Sequence, residues 1–343
     1  WRQGMRAVAW SADSRRLYFL RNKEGFTQIW VYDLERREAA RVGGPDGGPL
    51  GDYTSFDQIA ASPTAPLLAV LASSPAIPWR VITVELVGQG AGTPAGSPTP
   101  SVSKVVIRQR SEAEEIPAAY FSLPQPKQWL TQDGQQAFGL YFPPTNPAFE
   151  GRGRPPLIVR IHGGPTSQSR AEWLPAVAFF TSRGYAVLEI NYRGSTGYGR
   201  AYMDALKGNW GVYDVEDAMS GARAMVEAGL ADPERLVIMG GSAGGYTVLR
   251  ALTTHPGFFK AGVCLFGVAN LFTLAAETHK FEERYLDSLV GPLPEASSLY
   301  RERSPVFFAD RIRDPIAIFQ GDEDRVVPKN QSDSIVDVLR RRG

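Results

Sequence analysis

One stretch limits the fold of this chain more than any other: residues 236–245, which read LVIMGGSAGG. Apolar residues suited to a buried strand lead into small residues around Ser242, and a helix-compatible segment follows. Glycine at 240 and at 244 permits a sharp turn with an exposed Ser242 hydroxyl, because side chains there would clash across the turn. This pattern predicts a nucleophile elbow with Ser242 as the nucleophile; a glycine-rich turn with a structural serine is the alternative.

From about residue 128 onward, short apolar runs alternate with helical segments. Predicted strands cover 138–142, 157–161, 186–190, 236–239, 262–266 and 316–319, and predicted helices cover 172–181, 215–228, 244–254 and 331–342. This alternation indicates a mostly parallel sheet covered on both faces, so the predicted fold class is a doubly wound α/β hydrolase. Asp214, just before the predicted helix at 215, is the expected N-cap.

The first third of the chain is rich in short β-type runs that recur. Ser11 with Leu17 matches Ser62 with Leu68, 51 residues later, and VYDL at 31–34 matches TVEL at 83–86. A period of about 50 residues is typical of β-propeller blades; two unrelated hairpins are the alternative. The Gly-, Pro- and Ser-rich stretch 87–104 is expected to form a mobile loop inside the last blade, because a further strand-like run follows it.

The domain boundary is predicted between residues 121 and 128, where Pro124 and Pro126 are expected to break any regular element. The predicted domains are therefore a partial β-propeller of about two blades over 1–125 and an α/β-hydrolase domain over 126–343.

Composition narrows the function classes. Lys and Arg number 37 against 36 Asp and Glu, so the chain lacks the charge that binding to nucleic acid or an anionic membrane requires. No apolar run reaches the roughly 18 residues of a membrane span. Cys264, the single cysteine, lies in an apolar run and is expected in the core; a reducing cytoplasm fits, and the predicted location is cytoplasmic. Because the chain starts at Trp1 without a methionine or signal pattern, its true N-terminus is expected to be missing.

Acyl transfer at Ser242 needs two donors for the oxyanion. The backbone N–H of Ala243 is one candidate, and that of Gly163, in the HGGP run that follows the strand at 157–161, is the other. The triad acid should follow the nucleophile; Asp324 is the best candidate, with Asp322 and Glu323 as competitors in the same turn.

The base is not evident from the sequence. The histidines are His162, His255 and His279, and none follows Asp324 as the order of this fold requires. Since removing the base from such a site costs on the order of 10⁶ in turnover, the chain as printed is expected to be nearly inactive.

At this point the chain resembles the prolyl oligopeptidase family of serine peptidases, closest to its acylaminoacyl-peptidase and dipeptidyl-aminopeptidase-like branch. The resemblance covers nearly the whole chain. The motifs that carry it are HGGP at 162–165, NYRGSTGYG at 191–199, WG at 210–211 with Asp214 and Asp217, DPER at 232–235, GGSAGGY at 240–246, SP at 304–305 and GDEDRVVP at 321–328.

The resemblance implies that Asp324 is the triad acid and that the first third comprises the last blades of a propeller that restricts entry to short peptides. It also implies a triad histidine about thirty residues after the acid, beyond Gly343, so that the chain is an internal fragment. Elsewhere in the family a tyrosine at the position of His162 supplies an oxyanion donor; here the Gly163 amide takes that role. Val326 stands where the dipeptidyl-peptidase branch tends to have asparagine, which weakens that assignment.

The predicted reaction is hydrolysis of short peptides through an acyl-enzyme on Ser242, with no cofactor and no metal. The substrate pocket is expected near Tyr246 and the segment 268–274, with Phe272 and Leu274 as candidate lining residues or as ordinary core. Short peptides are the expected partners, without nucleic acid or membrane, and a homo-oligomer is compatible with the sequence. A carboxylesterase and an inactive hydrolase relative that serves as a binding module are the competing functions.

Overall fold

The structure is a computed structural model that describes residues 4–87, 100–112, 116–278, 280 and 282–342. Most of the predicted loop 87–104, and also His279, lie outside the described residues. The chain divides into two compact units: an N-terminal unit of Trp1–Leu123 with Arg170–Ala178, and a C-terminal unit of Pro124–Ser169 with Phe179–Gly343.

The N-terminal unit contains two four-stranded antiparallel sheets, each with its strands in chain order. The strands are β1 (Val8–Trp10), β2 (Arg16–Lys23), β3 (Phe26–Asp33) and β4 (Glu38–Arg41) in one sheet, and β5 (Ser55–Ala61), β6 (Leu67–Ser74), β7 (Ile77–Leu86) and β8 (Val102–Arg110) in the other. Strands β6 and β7 begin 51 residues after β2 and β3, which matches the repeat in the sequence. The assignment of these sheets as propeller blades stays a prediction.

Alternation within the strands builds the core of this unit. Ile29 and Val31 in β3, and Ile82 and Val84 in β7, are buried because every second side chain of a strand points to the same face. Two short 3₁₀ helices, Gly48–Leu50 and Ala118–Tyr120, also lie in the N-terminal unit.

The C-terminal unit is built on a seven-stranded mixed sheet in the order β15-β14-β13-β11-β12-β10-β9. Its strands are β9 (Gln125–Leu130), β10 (Gln136–Phe142), β11 (Leu157–Ile161), β12 (Ala186–Asn191), β13 (Leu236–Gly241), β14 (Ala261–Leu265) and β15 (Ile316–Phe319). The run from β12 to β15 is parallel, as expected, whereas β10 pairs antiparallel with β12 and β9.

Strand β9 corrects the prediction that Pro126 would break regular structure. Pro126 pairs with Leu140 inside this strand. Proline is tolerated there because β9 is the edge strand of the sheet, where one row of backbone N–H groups has no strand to bond.

In the chain, the α-helices lie between the strands from β11 onward and after β15. They are α1 (Pro175–Thr181), α2 (Arg200–Asp204), α3 (Tyr213–Glu227), α4 (Ala243–Thr254), α5 (Leu271–Glu277), α6 (Tyr285–Leu289), α7 (Ser297–Arg303) and α8 (Asn330–Arg342), with a 3₁₀ helix at Pro305–Arg311. Helix α3 packs on β9 to β12 and α4 on β11, β13 and β14. Among the described residues, no helix has the length and apolar character needed to cross a bilayer.

The prediction that Asp214 caps α3 was wrong. The helix begins at Tyr213, its N-cap is Val212, and Asp214 lies fully buried in the first turn. Its carboxylate instead accepts the N–H of Gly211 at 2.6 Å and the hydroxyl of Thr247 at 2.5 Å, so it joins the segment before α3 to α4.

A buried ion-pair cluster fixes the segment that follows β12. The Arg193 guanidinium is 3% exposed and bonds Asp217, Glu216 and Asp133 at 2.7–2.9 Å, with the Tyr213 ring 3.8 Å from its central carbon. Because Asp217 is itself fully buried, neither charge can be hydrated, and each depends on the other for stabilisation.

Replacement of Arg193 by methionine should therefore lower the free energy of unfolding by about 3–5 kcal/mol, because the Asp217 charge loses its partner. Lys207→Met is the control, since Lys207 pairs with Asp204 on the surface and its loss should cost about 1 kcal/mol or less. Urea unfolding of both full-length variants measures the difference. Equal destabilisation by the two substitutions would contradict the role given to Arg193.

Candidate active site

Ser242 lies on a strained turn between β13 and α4. Its backbone has φ 56° and ψ −123°, a region that costs a non-glycine residue on the order of 1–3 kcal/mol. A Cβ atom on Gly240 would come within 2.5 Å of the Gly244 carbonyl oxygen, and one on Gly244 would overlap the Ile161 carbonyl oxygen. The two glycines are therefore required by close backbone approach, as the sequence predicts.

Two backbone amides lie beside the Ser242 hydroxyl. Ala243 is the first residue of α4, where the N–H has no intrahelical acceptor. Gly163 comes so close that a Cβ atom built on it would stand 3.9 Å from Ser242 Oγ. Among the described residues neither N–H has a hydrogen-bond acceptor, so both are available for an anion at the positive end of the α4 dipole.

His162, next to Gly163, has both ring nitrogens engaged. Nδ1 lies 2.8 Å from the Gly163 carbonyl oxygen and Nε2 lies 2.8 Å from Ser195 Oγ, while the ring stacks on Tyr192. Burial lowers the pKa of the His162 ring to about 4. His162 is thus a neutral, hydrogen-bonded group and not a free base at neutral pH.

The turn after β15 separates the three acidic candidates. Asp322 and Glu323 are exposed, whereas Asp324 is partly buried. Asp324 Oδ1 accepts the N–H groups of Val326 at 2.9 Å and Val327 at 3.0 Å. These bonds fix the carboxylate and leave Oδ2 as the oxygen available to another donor.

A cavity of about 60 Å³ opens beside Ser242 and Ala243. Its other lining residues are mostly apolar or aromatic and come from several loops and from helices α5 and α6: Gly164, Pro165, Trp210, Val268, Leu274, Thr278, Glu282, Tyr285, Leu286, Leu289, Val326 and Val327. Since Val326 and Val327 lie two and three residues after Asp324, the loop of this candidate acid reaches the same cavity as Ser242.

Of the predicted pocket residues, Leu274 lines this cavity, whereas Tyr246 and Phe272 lie elsewhere. Tyr246 is fully buried, its ring packs on Trp210, and its hydroxyl donates to the Arg303 carbonyl at 2.9 Å. Phe272 packs against Tyr300. Both therefore lie in the packing around the cavity rather than in its described lining.

Sequence reasoning missed two aromatic walls of the cavity. Trp210 was visible only as part of the WG motif, and no sequence pattern marks Tyr285. The Tyr285 hydroxyl donates to Thr166 Oγ1 at 2.7 Å and accepts the Thr166 N–H at 3.1 Å, which joins α6 to the Gly163 loop. These contacts depend on tertiary structure.

His255 is also remote from the nucleophile. It caps the C-terminal end of α4, whereas Ser242 caps the N-terminal end, which separates them by roughly 18 Å along the helix axis. Of the described histidines, neither His162 nor His255 is placed to accept a proton from Ser242.

Comparison with known proteins finds a family match in the C-terminal part of the chain. Residues 173–343 match the model of the prolyl oligopeptidase family. The chain is 37% identical over 195 residues to "Dipeptidyl peptidase family member 6" of Caenorhabditis elegans, covering 54% of this chain and 26% of that protein. It is 27% identical over 344 residues to the acylamino-acid-releasing enzyme of Sus scrofa, covering 97% of this chain and 44% of that protein.

Among solved structures, a puromycin-hydrolyzing peptidase of Mycobacterium tuberculosis superposes with a TM-score of 0.86 at 37% identity. The match covers 99% of this chain and 48% of that one. The chain therefore spans less than half the length of each of these three proteins.

The state of His162 predicts an acid-sensitive stability. Its pKa of about 4 lies below the value of 6.5 for an unperturbed histidine, so the unfolded chain binds the proton more readily. The free energy of unfolding should fall as pH drops from 6.5 to about 4, by up to about 1.4 kcal/mol per pH unit from this group.

Urea unfolding of the full-length protein across this range, with His162→Gln beside it, measures the contribution. The variant should lose part of the pH dependence, whereas His255→Gln, at an exposed position, should change it less. A His162→Gln profile parallel to that of the wild type would contradict the assignment of a neutral His162.

Proposed function

This chain belongs to the prolyl oligopeptidase family, and we propose that it hydrolyses short peptides through an acyl-enzyme on Ser242. One observation carries the proposal: a serine lies on a strained turn at the start of a helix with Gly163 close beside it, and the N–H groups of Gly163 and Ala243 have no acceptor among the described residues. A structural serine needs neither the strain nor the unpaired donors.

In the proposed mechanism, Ser242 Oγ attacks the substrate carbonyl carbon while its proton passes to a histidine. The carbonyl oxygen becomes an oxyanion that accepts hydrogen bonds from the N–H groups of Gly163 and Ala243. The C–N bond then breaks, the histidine returns the proton to the leaving amine, and an acyl-enzyme remains. Water then attacks the acyl carbonyl carbon while its proton passes to the histidine. The ester bond to Ser242 breaks as the histidine returns the proton to Ser242 Oγ, which releases the carboxylic acid and the free enzyme.

The base of this mechanism is a histidine of the full-length protein that Asp324 orients. His162 does not suit the role because its ring nitrogens are engaged, and His255 lies at the wrong end of α4. The Asp324 carboxylate suits its role because Oδ1 is fixed by two backbone N–H groups, which leaves Oδ2 to accept from the imidazole.

We propose that the cavity beside Ser242 receives the side chain that precedes the scissile bond. Trp210, Val268, Leu274 and Leu289 give it apolar walls, which favours an apolar side chain in that position. The named activities of the relatives, dipeptidyl peptidase, acylamino-acid-releasing enzyme and puromycin-hydrolyzing peptidase, fit a protein that cuts short amide substrates. The 51-residue strand repeat supports the proposal that the sheets of the N-terminal unit are propeller blades. A cytoplasmic location is also part of the proposal.

The nucleophile can be tested with a fluorophosphonate probe and a panel of peptide amides and simple acyl esters on the full-length protein. Ser242→Ala should abolish labelling and reduce turnover by about 10⁶, because no other group can form the acyl-enzyme. Ser298→Ala, at an exposed position in α7, is the control and should leave both unchanged. Undiminished labelling of Ser242→Ala would refute the assignment. Turnover of esters alone would favour a carboxylesterase, and a wild type without labelling or turnover would favour a binding module.

The acid can be tested by comparison within its own turn. Asp324→Asn should lower kcat by about 10³–10⁴ with little change in KM, because the histidine loses the group that sets its tautomer. Asp322→Asn and Glu323→Gln remove exposed carboxylates two and one positions earlier and should change kcat less than about threefold. A larger loss in either of these two variants than in Asp324→Asn would reassign the acid.

A further inference from the structure

One wall of the cavity beside Ser242 is a short segment that connects β14 to α5. Val268 lines the cavity, and Asn270 caps α5, which carries the lining residue Leu274. Because the segment 268–270 lies outside regular structure, its buried backbone N–H groups need other hydrogen-bond acceptors. The position of this backbone decides how closely the wall approaches an occupant of the cavity.

Gln331, in the first turn of α8, supplies those acceptors. The residue is 1% exposed. Its Oε1 accepts the N–H groups of Ala269 and Asn270, each at 2.8 Å, and its Nε2 donates to the Asn270 carbonyl oxygen at 3.3 Å. The amide has one possible orientation, because the two N–H groups can only donate and the carbonyl oxygen can only accept. The bond to Ala269 acts on the peptide that joins this residue to Val268, and therefore on the backbone of the lining residue itself.

Two further bonds hold the segment from the side of the SP motif at 304–305. The Val306 N–H donates to the Ala269 carbonyl oxygen at 3.0 Å. Ser304 Oγ accepts the Leu271 N–H at 2.9 Å. Neither bond involves the N–H of Ala269, for which Gln331 is the only acceptor among the described residues. Loss of the Gln331 amide therefore frees one side of the segment and leaves the other side attached.

We propose that Gln331 is a positioning residue for substrate specificity: it holds the Val268 wall where the wall closes on the side chain that precedes the scissile bond. The inference rests on the proposed function, in which the cavity receives that side chain. Gln331 is not among the described lining residues of the cavity, and it acts through the segment 268–270.

Replacement of Gln331 by methionine keeps the length of the side chain and removes all three hydrogen bonds. Since Ala269 is fully buried, its N–H loses its acceptor at a large cost, and the segment is expected to turn until the N–H finds another acceptor. Val268 then moves away from the occupant of the cavity. A substrate with an apolar side chain loses contact with this wall, whereas a substrate with glycine in that position has no contact to lose.

Gln331→Met in the full-length protein tests this proposal with short peptide p-nitroanilides that end in leucine or in glycine. The ratio of their kcat/KM values, leucine over glycine, should fall about 10-fold, because pocket contact with a single methylene gives about that much discrimination. The fall should come from the leucine substrate. The ratio does not depend on enzyme concentration, so a variant that folds in low yield still gives it.

Gln331→Glu is the conservative variant. It keeps an oxygen that accepts both N–H groups and loses only the donor to the Asn270 carbonyl oxygen, so its ratio should lie between those of the wild type and Gln331→Met. A ratio below that of Gln331→Met would contradict the role given to Oε1.

Ser332→Ala is the matched control. Ser332 is buried in the same turn of α8, but its hydroxyl donates to Gln320 Oε1 at 2.9 Å, next to the turn of Asp324, and not to the cavity wall. The substitution should leave the ratio unchanged even where it lowers kcat for both substrates. A wild-type ratio in Gln331→Met, or an equal fall in Ser332→Ala, would overturn the proposal.

Hydrogen exchange followed by mass spectrometry separates this inference from the proposed function. Peptides that span residues 267–272 should exchange faster in Gln331→Met than in the wild type, and at the wild-type rate in Ser332→Ala. Unchanged exchange in Gln331→Met would refute the role of Gln331 even in an active enzyme. A wild type without Ser242-dependent turnover would refute the proposed function, while the exchange still tests whether Gln331 holds the segment.

Discussion

The turn between β13 and α4 leaves no room for a Cβ atom at Gly240 or Gly244, and the strands next to it are packed closely around that constraint. Strand β11 pairs with β13 so that Ile161 stands opposite Gly240, and the Ile161 carbonyl oxygen fills the space that a Cβ atom on Gly244 would need. Because β11 runs straight into His162 and Gly163, the same register that compresses the turn brings the second amide to the serine. The strain at Ser242 and the position of Gly163 therefore have one cause, which is the close packing of two neighbouring parallel strands at their carboxyl ends.

The buried polar groups around this turn are paired with an opposite charge, held by hydrogen bonds or neutral. Arg193 and Asp217 neutralise each other beneath the segment after β12. Burial raises the pKa of Asp214, and bonds from Thr247 and Gly211 stabilise its carboxylate. His162 stays neutral because burial lowers its pKa. With Arg193 paired and His162 neutral, the backbone amides and the α4 dipole at Ser242 can stabilise an oxyanion without reorganisation.

The residues that line the cavity beside Ser242 come from several separate helices and loops. Trp210 precedes α3, Leu274 lies in α5, Tyr285 and Leu289 in α6, and Val327 follows the acid. Asp214 holds the Trp210 segment through Gly211, and Tyr285 holds α6 to the loop of Gly163 through Thr166. In the proposed mechanism, the walls that would contact a substrate side chain are thus tied to the same loops that would supply the oxyanion donors, so binding and transition-state stabilisation would depend on shared hydrogen bonds.

The sequence by itself determined the features that local rules encode. The strand–turn–helix around Ser242, the glycine loop after β11 and most strand positions follow from short-range patterns, because a residue's periodicity and size restrict its own turn or strand. Short-range sequence patterns gave the wrong prediction where residues distant in the chain determine the local structure. Pro126 is accommodated by an edge strand, Asp214 bonds Thr247 rather than capping its helix, and Tyr246 is packed behind Trp210. Tertiary structure alone brought Tyr285 to Thr166, 119 residues away, and Ser195 to His162, because the order of strands in a sheet, and not distance along the chain, sets which loops meet.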